Sequence, residues 1–89
     1  MIGVSSGEDI ILIVQNRDEK RVRVSTTTET PFRHLFEKYR MHAAEKGWID
    51  EKTKLKFFFD DTLLDENDTP SAFDCQADDI IDVTGYAPE

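Results

Sequence analysis

The sequence predicts an α+β domain: a mixed sheet of four to five strands wrapped around one long helix. Three observations predict it. A nearly continuous apolar run, Ile10 to Val14, is followed across a polar turn by an alternating stretch. A single helical stripe, Phe32, Leu35, Phe36 and Tyr39, sits in the middle of the chain. Two later apolar runs, Leu55–Phe59 and Ile80–Val83, are short enough for strands. A sheet with one apolar face and a helix with one apolar stripe are most economically buried against each other.

The elements follow in order. Residues 1–8 read as a flexible leader. Asp9 to Gln15 reads as a strand whose unbroken apolar run suits burial on both sides. Asn16-Arg17-Asp18-Glu19 is a polar turn. Val22 and Val24 then alternate with Arg21 and Arg23, which completes a hairpin. Thr30-Pro31 starts a helix, with Thr30 as N-cap and Pro31 at the first helical position. Phe32, Leu35, Phe36 and Tyr39 recur at helical spacing, Ala43 adds a turn, and Arg33, Glu37, Arg40 and Lys46 take the wet side. Gly47 stops the helix. Lys54 to Phe59 is a third strand, with Leu55, Phe57 and Phe59 facing inward. Asp60-Asp61 turns the chain into a very short strand at Leu63-Leu64. Pro70 opens a brief helical turn in which Ala72 and Phe73 point inward. Asp79 to Thr84 closes the sheet. Residues 9–84 form one domain, and 85–89 a short tail. The order ββαββ, short helix, β is the β-grasp plan of ubiquitin-like domains.

Composition narrows the function. All 11 Lys and Arg lie at or before Lys56, so the first 56 residues net about +2 and the last 33 net −10. An acidic half on a small domain favours a basic partner and governs encounter more than fold. A pI near 4.6 argues against nucleic acid or anionic lipid as a partner. The apolar runs fall short of the roughly 20 residues that span a bilayer. Residues 1–7 lack the basic and apolar parts of a signal peptide. Cys75 is the only cysteine, which fits a reducing compartment.

Four stretches carry a family resemblance. Thr30-Pro31-Phe32 with Leu35 and Tyr39 resembles the T-P-L-x-x-L-x-x-x-Y helix start of SUMO proteins. Phe57-Phe58-Phe59-Asp60 resembles their F-x-F-[DE]-G segment. Asp68-Thr69-Pro70 resembles their turn before the short helix, and Asp78-Asp79-Ile80-Ile81-Asp82-Val83 their closing strand. The resemblance covers about residues 9–84, with a few extra residues near Gly47 to Lys52. The chain lacks the Gly-Gly ending of conjugated SUMO. It is therefore most similar to the non-conjugating SUMO-like domains of the NFAT-interacting protein and related yeast genome-maintenance proteins. Such a domain imitates SUMO and binds the SUMO-conjugating enzyme non-covalently, away from its catalytic cysteine. The resemblance implies an adaptor that recruits this enzyme to a larger parent protein, a monomeric state, and a nuclear setting.

By the same resemblance, Asp60, Asp78 and Asp79 are the partner-binding carboxylates. Together they would form one anionic patch that accepts charge-assisted hydrogen bonds from Arg or His. Asp61 stands where the family has Gly, a position where positive φ is tolerated by Asp at some cost. The family's peptide groove, formed by strand addition between the second strand and the helix, falls on Thr26, Thr27, Leu35 and His42. It is expected to be weak, since Ser25-Thr26-Thr27-Thr28 carries no Lys or Arg.

No catalytic constellation is present. His34 and His42 lie about 12 Å apart along the helix by its rise, too far to share a metal. Cys75 has no paired base. The acidic run Asp60 to Asp68 lacks calcium-loop spacing and its glycine. No cofactor, metal or enzymatic activity is expected. Two other function classes stay open: a covalent SUMO-type modifier with an altered or truncated C-terminus, and an acidic-basic head-to-tail self-assembly module. Lys20, Arg21 and Arg23 opposite the acidic loop support the latter.

Overall fold

The computed structural model describes residues 7–86. Of the expected leader only Gly7 and Glu8 are described, and of the expected tail only Gly85 and Tyr86; the rest lie outside the described residues. The elements are β1 (Asp9–Gln15), β2 (Arg21–Thr27), α1 (Phe32–Glu45), β3 (Lys54–Phe59), β4 (Thr62–Leu63), a 3-10 turn (Pro70–Phe73) and β5 (Ile80–Tyr86). They form one mixed sheet in the order β2-β1-β5-β3-β4. β5 runs parallel to β1 and antiparallel to β3, with Ile13 opposite Ile80 and Phe58 opposite Asp82. No helix is long and apolar enough to cross a membrane among the described residues.

The alternation of each strand decides which side is buried. Ile10, Leu12, Val14, Val24, Phe57, Ile81 and Val83 point at α1, which answers with Phe32, Leu35, Tyr39 and Ala43. Phe57 sits at the centre. Its ring stacks on Phe36 at 4.0 Å between centroids and meets Tyr39 edge-on at 5.8 Å. Phe32 and Phe73 extend the aromatic seam toward the 3-10 turn.

Five local expectations are corrected. β1 is buried on one side only: Ile11 is 43% exposed, because the single helix covers one face of the sheet and nothing among the described residues covers the other. Thr30 does not cap α1. Pro31 holds the N-cap position with ψ 143 and no side-chain bond, and the Thr30 hydroxyl pairs with that of Thr27 instead. The free amides of the first turn are met from a distant loop: Phe32 N–H donates to the Asp68 carbonyl at 2.8 Å and Arg33 N–H to that of Glu66 at 3.0 Å. β4 occupies Thr62–Leu63, which leaves Leu64 buried below the sheet. In the 3-10 turn only Phe73 packs inward, and Ala72 is exposed. Arg40 is half-buried rather than wet, its guanidinium donating to the Thr53 carbonyl.

The helix C-terminus is as expected. Gly47 has φ +78, Trp48 N–H donates to the Ala43 carbonyl at 2.9 Å, and Gly47 N–H to that of Ala44 at 3.1 Å. This pair of bonds is a Schellman motif.

Cys75 is buried. Burial, with Asp79 and then Asp74 nearby, pushes its thiol up to about 11. Burial likewise raises the Tyr39 hydroxyl, partly offset by its bond to Asn16. A group whose folded pKa is raised stabilises fully below its unfolded pKa and loses that contribution as pH climbs through the folded one. Thermal melts should therefore show stability falling from pH 9 to 11, and Cys75→Ala should flatten part of that fall. Phe57→Ala should destabilise by about 3–5 kcal/mol, read as a lower denaturant midpoint with an unchanged slope.

Candidate protein-interaction face

β3 and β4 are joined by a two-residue turn, since Phe59 pairs with Thr62. Its central residues, Asp60 and Asp61, have φ 52 and 65. Two successive positive φ values are what a tight hairpin needs to match strand twist. Asp is admitted there because its short polar side chain tolerates the left-handed region better than most. The Asp60 carboxylate is exposed and makes no hydrogen bond or ion pair among the described residues.

Asp78 and Asp79 lead into β5. Asp78 has φ 67, and its N–H donates to the Ile11 carbonyl at 2.7 Å. Ile13 N–H in turn donates to the Asp79 carbonyl at 2.9 Å. This backbone stitching fixes where β5 joins β1. The side chains differ in their commitments. Asp78 accepts from Arg23 of β2 at 2.8 Å, an ion pair with both partners well exposed. Asp79 Oδ2 accepts from Gln76 N–H at 2.8 Å, which closes the turn before the strand.

The register sets their arrangement. Phe58 opposes Asp82 at the last rung of the β3–β5 ladder, so the turn at Asp60 and the start of β5 lie at the same end of the sheet. Asp78 lies at the same end of the sheet, but its carboxylate is directed across β1 to β2. The three carboxylates expected to act together thus differ in how far they are already engaged. Asp60 is free, Asp79 is held by a turn, and Asp78 is already paired.

Sequence reasoning missed the floor beside Asp60. On the open face, Asp82, Phe58 and Leu63 form one cross-strand row on β5, β3 and β4. Leu63 is 55% exposed, Ile80 is 38% exposed, and Phe58 is half-buried. The signal was present: Phe58 is an aromatic on the face of β3 that otherwise carries Lys54 and Lys56. Acidic side chains thus flank a small, partly exposed apolar row.

The expected peptide groove is placed differently. Thr26 is buried, Thr27 half-buried, and Leu35 lies fully inside the core. His42 stacks edge-on against Trp48 at 5.7 Å, toward the other end of α1. The depression beside β2 is lined by Asp9, Ser25, Thr26, Thr27, Thr30, His34 and Lys38. Its positive charge comes from the helix. Among the described residues no cluster of His, Cys, Asp or Glu is arranged to hold a metal ion.

Residues 10–84 match the family described as ubiquitin-2 like Rad60 SUMO-like. The chain belongs to this family. It is 31% identical over 80 residues to protein ESC2 of Saccharomyces cerevisiae. That match takes in 89% of this chain but 17% of the yeast protein, so the chain spans about a sixth of that relative's length. Two solved structures share the fold. One accompanies the finding that molecular mimicry of SUMO promotes DNA repair; it has TM-score 0.67 and 18% identity, covering 85% of this chain and 90% of the other. The other is a de novo design based on ubiquitin, with TM-score 0.70 and 10% identity, covering 91% and 93%. The SUMO-like resemblance and the ubiquitin-like fold expected from the sequence are both established by these matches, the expected four to five strands being five. Domains of this family are generally non-catalytic.

The turn itself is testable. Asp61→Gly removes a side chain from a left-handed position and should stabilise by about 0.5–1 kcal/mol. A higher melting temperature with an unchanged amide spectrum elsewhere would bear this out; a lower one would mean that the Asp61 side chain contributes something the turn needs.

Proposed function

We propose that this domain is a non-covalent interaction module that mimics SUMO and binds the SUMO-conjugating enzyme through the face around Asp60. The observation that carries the reading is one unpaired, exposed carboxylate. Asp60 is held in a two-residue turn next to the apolar pair Phe58–Leu63, in a chain of a SUMO-like family. A carboxylate with no partner to give up meets an incoming Arg or His with its full charge. Asp79 lies at the same end of the sheet and adds to the negative potential there. Asp78 contributes less, because its charge is already met by Arg23. The apolar floor supplies the water-excluding centre that makes such a charge contact count.

The domain serves as an adaptor within a longer protein, and its setting is nuclear genome maintenance. Support comes from the likeness to yeast ESC2 and to a solved protein in which mimicry of SUMO promotes DNA repair. No catalytic role is assigned to it.

A titration of the isotope-labelled domain with purified SUMO-conjugating enzyme tests this, followed residue by residue by NMR. Shifts should centre on Phe58, Asp60, Leu63 and Asp79 and weaken as salt rises. Asp60→Arg should weaken binding by about 2–5 kcal/mol. Absence of shifts in high-micromolar enzyme would refute the reading.

A further inference from the structure

The acidic run from Asp60 to Asp68 contains a nucleophilic side chain that the interaction face does not use. Thr62 is exposed, and its hydroxyl makes no hydrogen bond among the described residues. Acids stand on both sides of it, Asp60 and Asp61 before and Asp65 and Glu66 after. The other exposed serine and threonine residues of the described chain are Ser25 and Ser71. Ser25 is preceded by Arg23 and followed by three threonines, with no acid close on either side. The Ser71 hydroxyl lies 3.1 Å from that of Thr69, in a 3-10 turn. Among the described residues, Thr62 alone combines a free hydroxyl, acids on both sides and an extended backbone.

These are the features that a kinase with a basic substrate groove recognises. Charge pattern selects the substrate, and the acceptor must lie extended with its oxygen within reach. Thr62 already lies in a strand. β4 is two residues long, stands at an edge of the sheet and pairs with β3. So short an edge opens by local fraying. Leu64 is the flanking residue that has to lift, since it is buried and its N–H donates to the Phe57 carbonyl at 2.8 Å.

We propose that Thr62 is a phosphorylation site for an acid-directed serine/threonine kinase. Thr62 Oγ1 attacks the γ-phosphorus of ATP as the bond to the β-phosphate oxygen breaks. ADP leaves, and the hydroxyl proton passes to the kinase's catalytic carboxylate. The ester adds about −1.5 to −2 charge at pH 7. Strand alternation decides where that charge goes. Leu63 shares the open face with Phe58, and Thr62, opposite Phe59, points to the other side. The phosphate therefore leaves the Phe58–Leu63 pair uncovered while it raises the charge of the turn that carries Asp60. On the reading of Asp60 given above, phosphorylation strengthens binding of a basic partner, by roughly threefold to tenfold once screening is included.

The test incubates the folded domain with Mg-ATP and a purified acid-directed kinase, beside a free peptide spanning Phe58 to Asp68. Tandem mass spectrometry should place one phosphate on Thr62, at a rate within roughly tenfold of the peptide's, the difference being the cost of fraying. Thr62→Val should take up none. Asp65→Asn with Glu66→Gln keeps the side-chain acceptor that residue 65 offers Asn67, and should slow labelling by roughly tenfold in domain and peptide alike. A domain left unlabelled, one labelled at Ser71 instead, or a rate unchanged by the amide substitutions overturns the site. The phosphorylated and unmodified domains are then titrated with the SUMO-conjugating enzyme. Equal or weaker binding of the phosphorylated form overturns the strengthening. A domain that binds the enzyme in neither form sinks the earlier reading and the strengthening together, while the site at Thr62 stands or falls on its mass spectrum.

Discussion

The stack of Phe57 on Phe36 is the contact on which the rest of the molecule depends. At 4.0 Å between ring centroids, with Tyr39 edge-on to the same ring, it pins the middle of β3 to the middle of α1. β3 pairs β5 over five positions, and β5 is stitched to β1 through Asp78 and Asp79. Fixing Phe57 thus fixes the height of β3 against the sheet. It also fixes the point at which β3 ends, at Phe59 immediately before Asp60. The aim of the candidate anchor is set by an aromatic contact on the opposite face of the sheet.

One helix on a five-stranded sheet leaves one face open, and this explains the surface chemistry. The open face carries Ile11, Ile80 and Leu63 partly in water. Apolar side chains on an open sheet face favour adhesion. Charged neighbours moderate it: the Arg23–Asp78 pair lies across β1, and Asp82 interrupts the row between Gln15 and Phe58. Charges on this domain therefore limit where it can be bound as well as attract a partner.

Much of this was legible in the residues. The helical stripe from Phe32 to Ala43, the alternation of Leu55, Phe57 and Phe59, and the stop at Gly47 each obey a local rule, and each is where the rule puts it. The failures share a cause, which is that the deciding partner is remote in sequence. Thr30 has the chemistry of an N-cap, yet the first-turn amides of α1 are met by Glu66 and Asp68. Asp78 looked like a free carboxylate because its partner, Arg23, is 55 residues away. Arg40 looked like an ordinary wet helix residue because nothing local points it at the Thr53 carbonyl. Ile11 looked buried because an apolar run does not say how many layers cover a sheet.

The contrast between Asp60 and Asp78 shows why proximity alone does not make a site. Both carboxylates are exposed and lie at the same end of the sheet. Asp78 already has a cation, and an exposed ion pair of this kind is worth at most about 1 kcal/mol. A basic partner gains from Asp78 only the difference between its own contact and the one it displaces, and it must then accommodate the released Arg23. At Asp60 there is nothing to displace, and the two-residue turn leaves little backbone freedom to freeze on binding. The smaller entropic loss and the unshared charge act in the same direction. A partner that neutralises Asp60 is therefore favoured over one that neutralises Asp78, even if both present the same guanidinium. The positive φ at Asp60 and Asp61 is the conformational strain that this preorganisation requires.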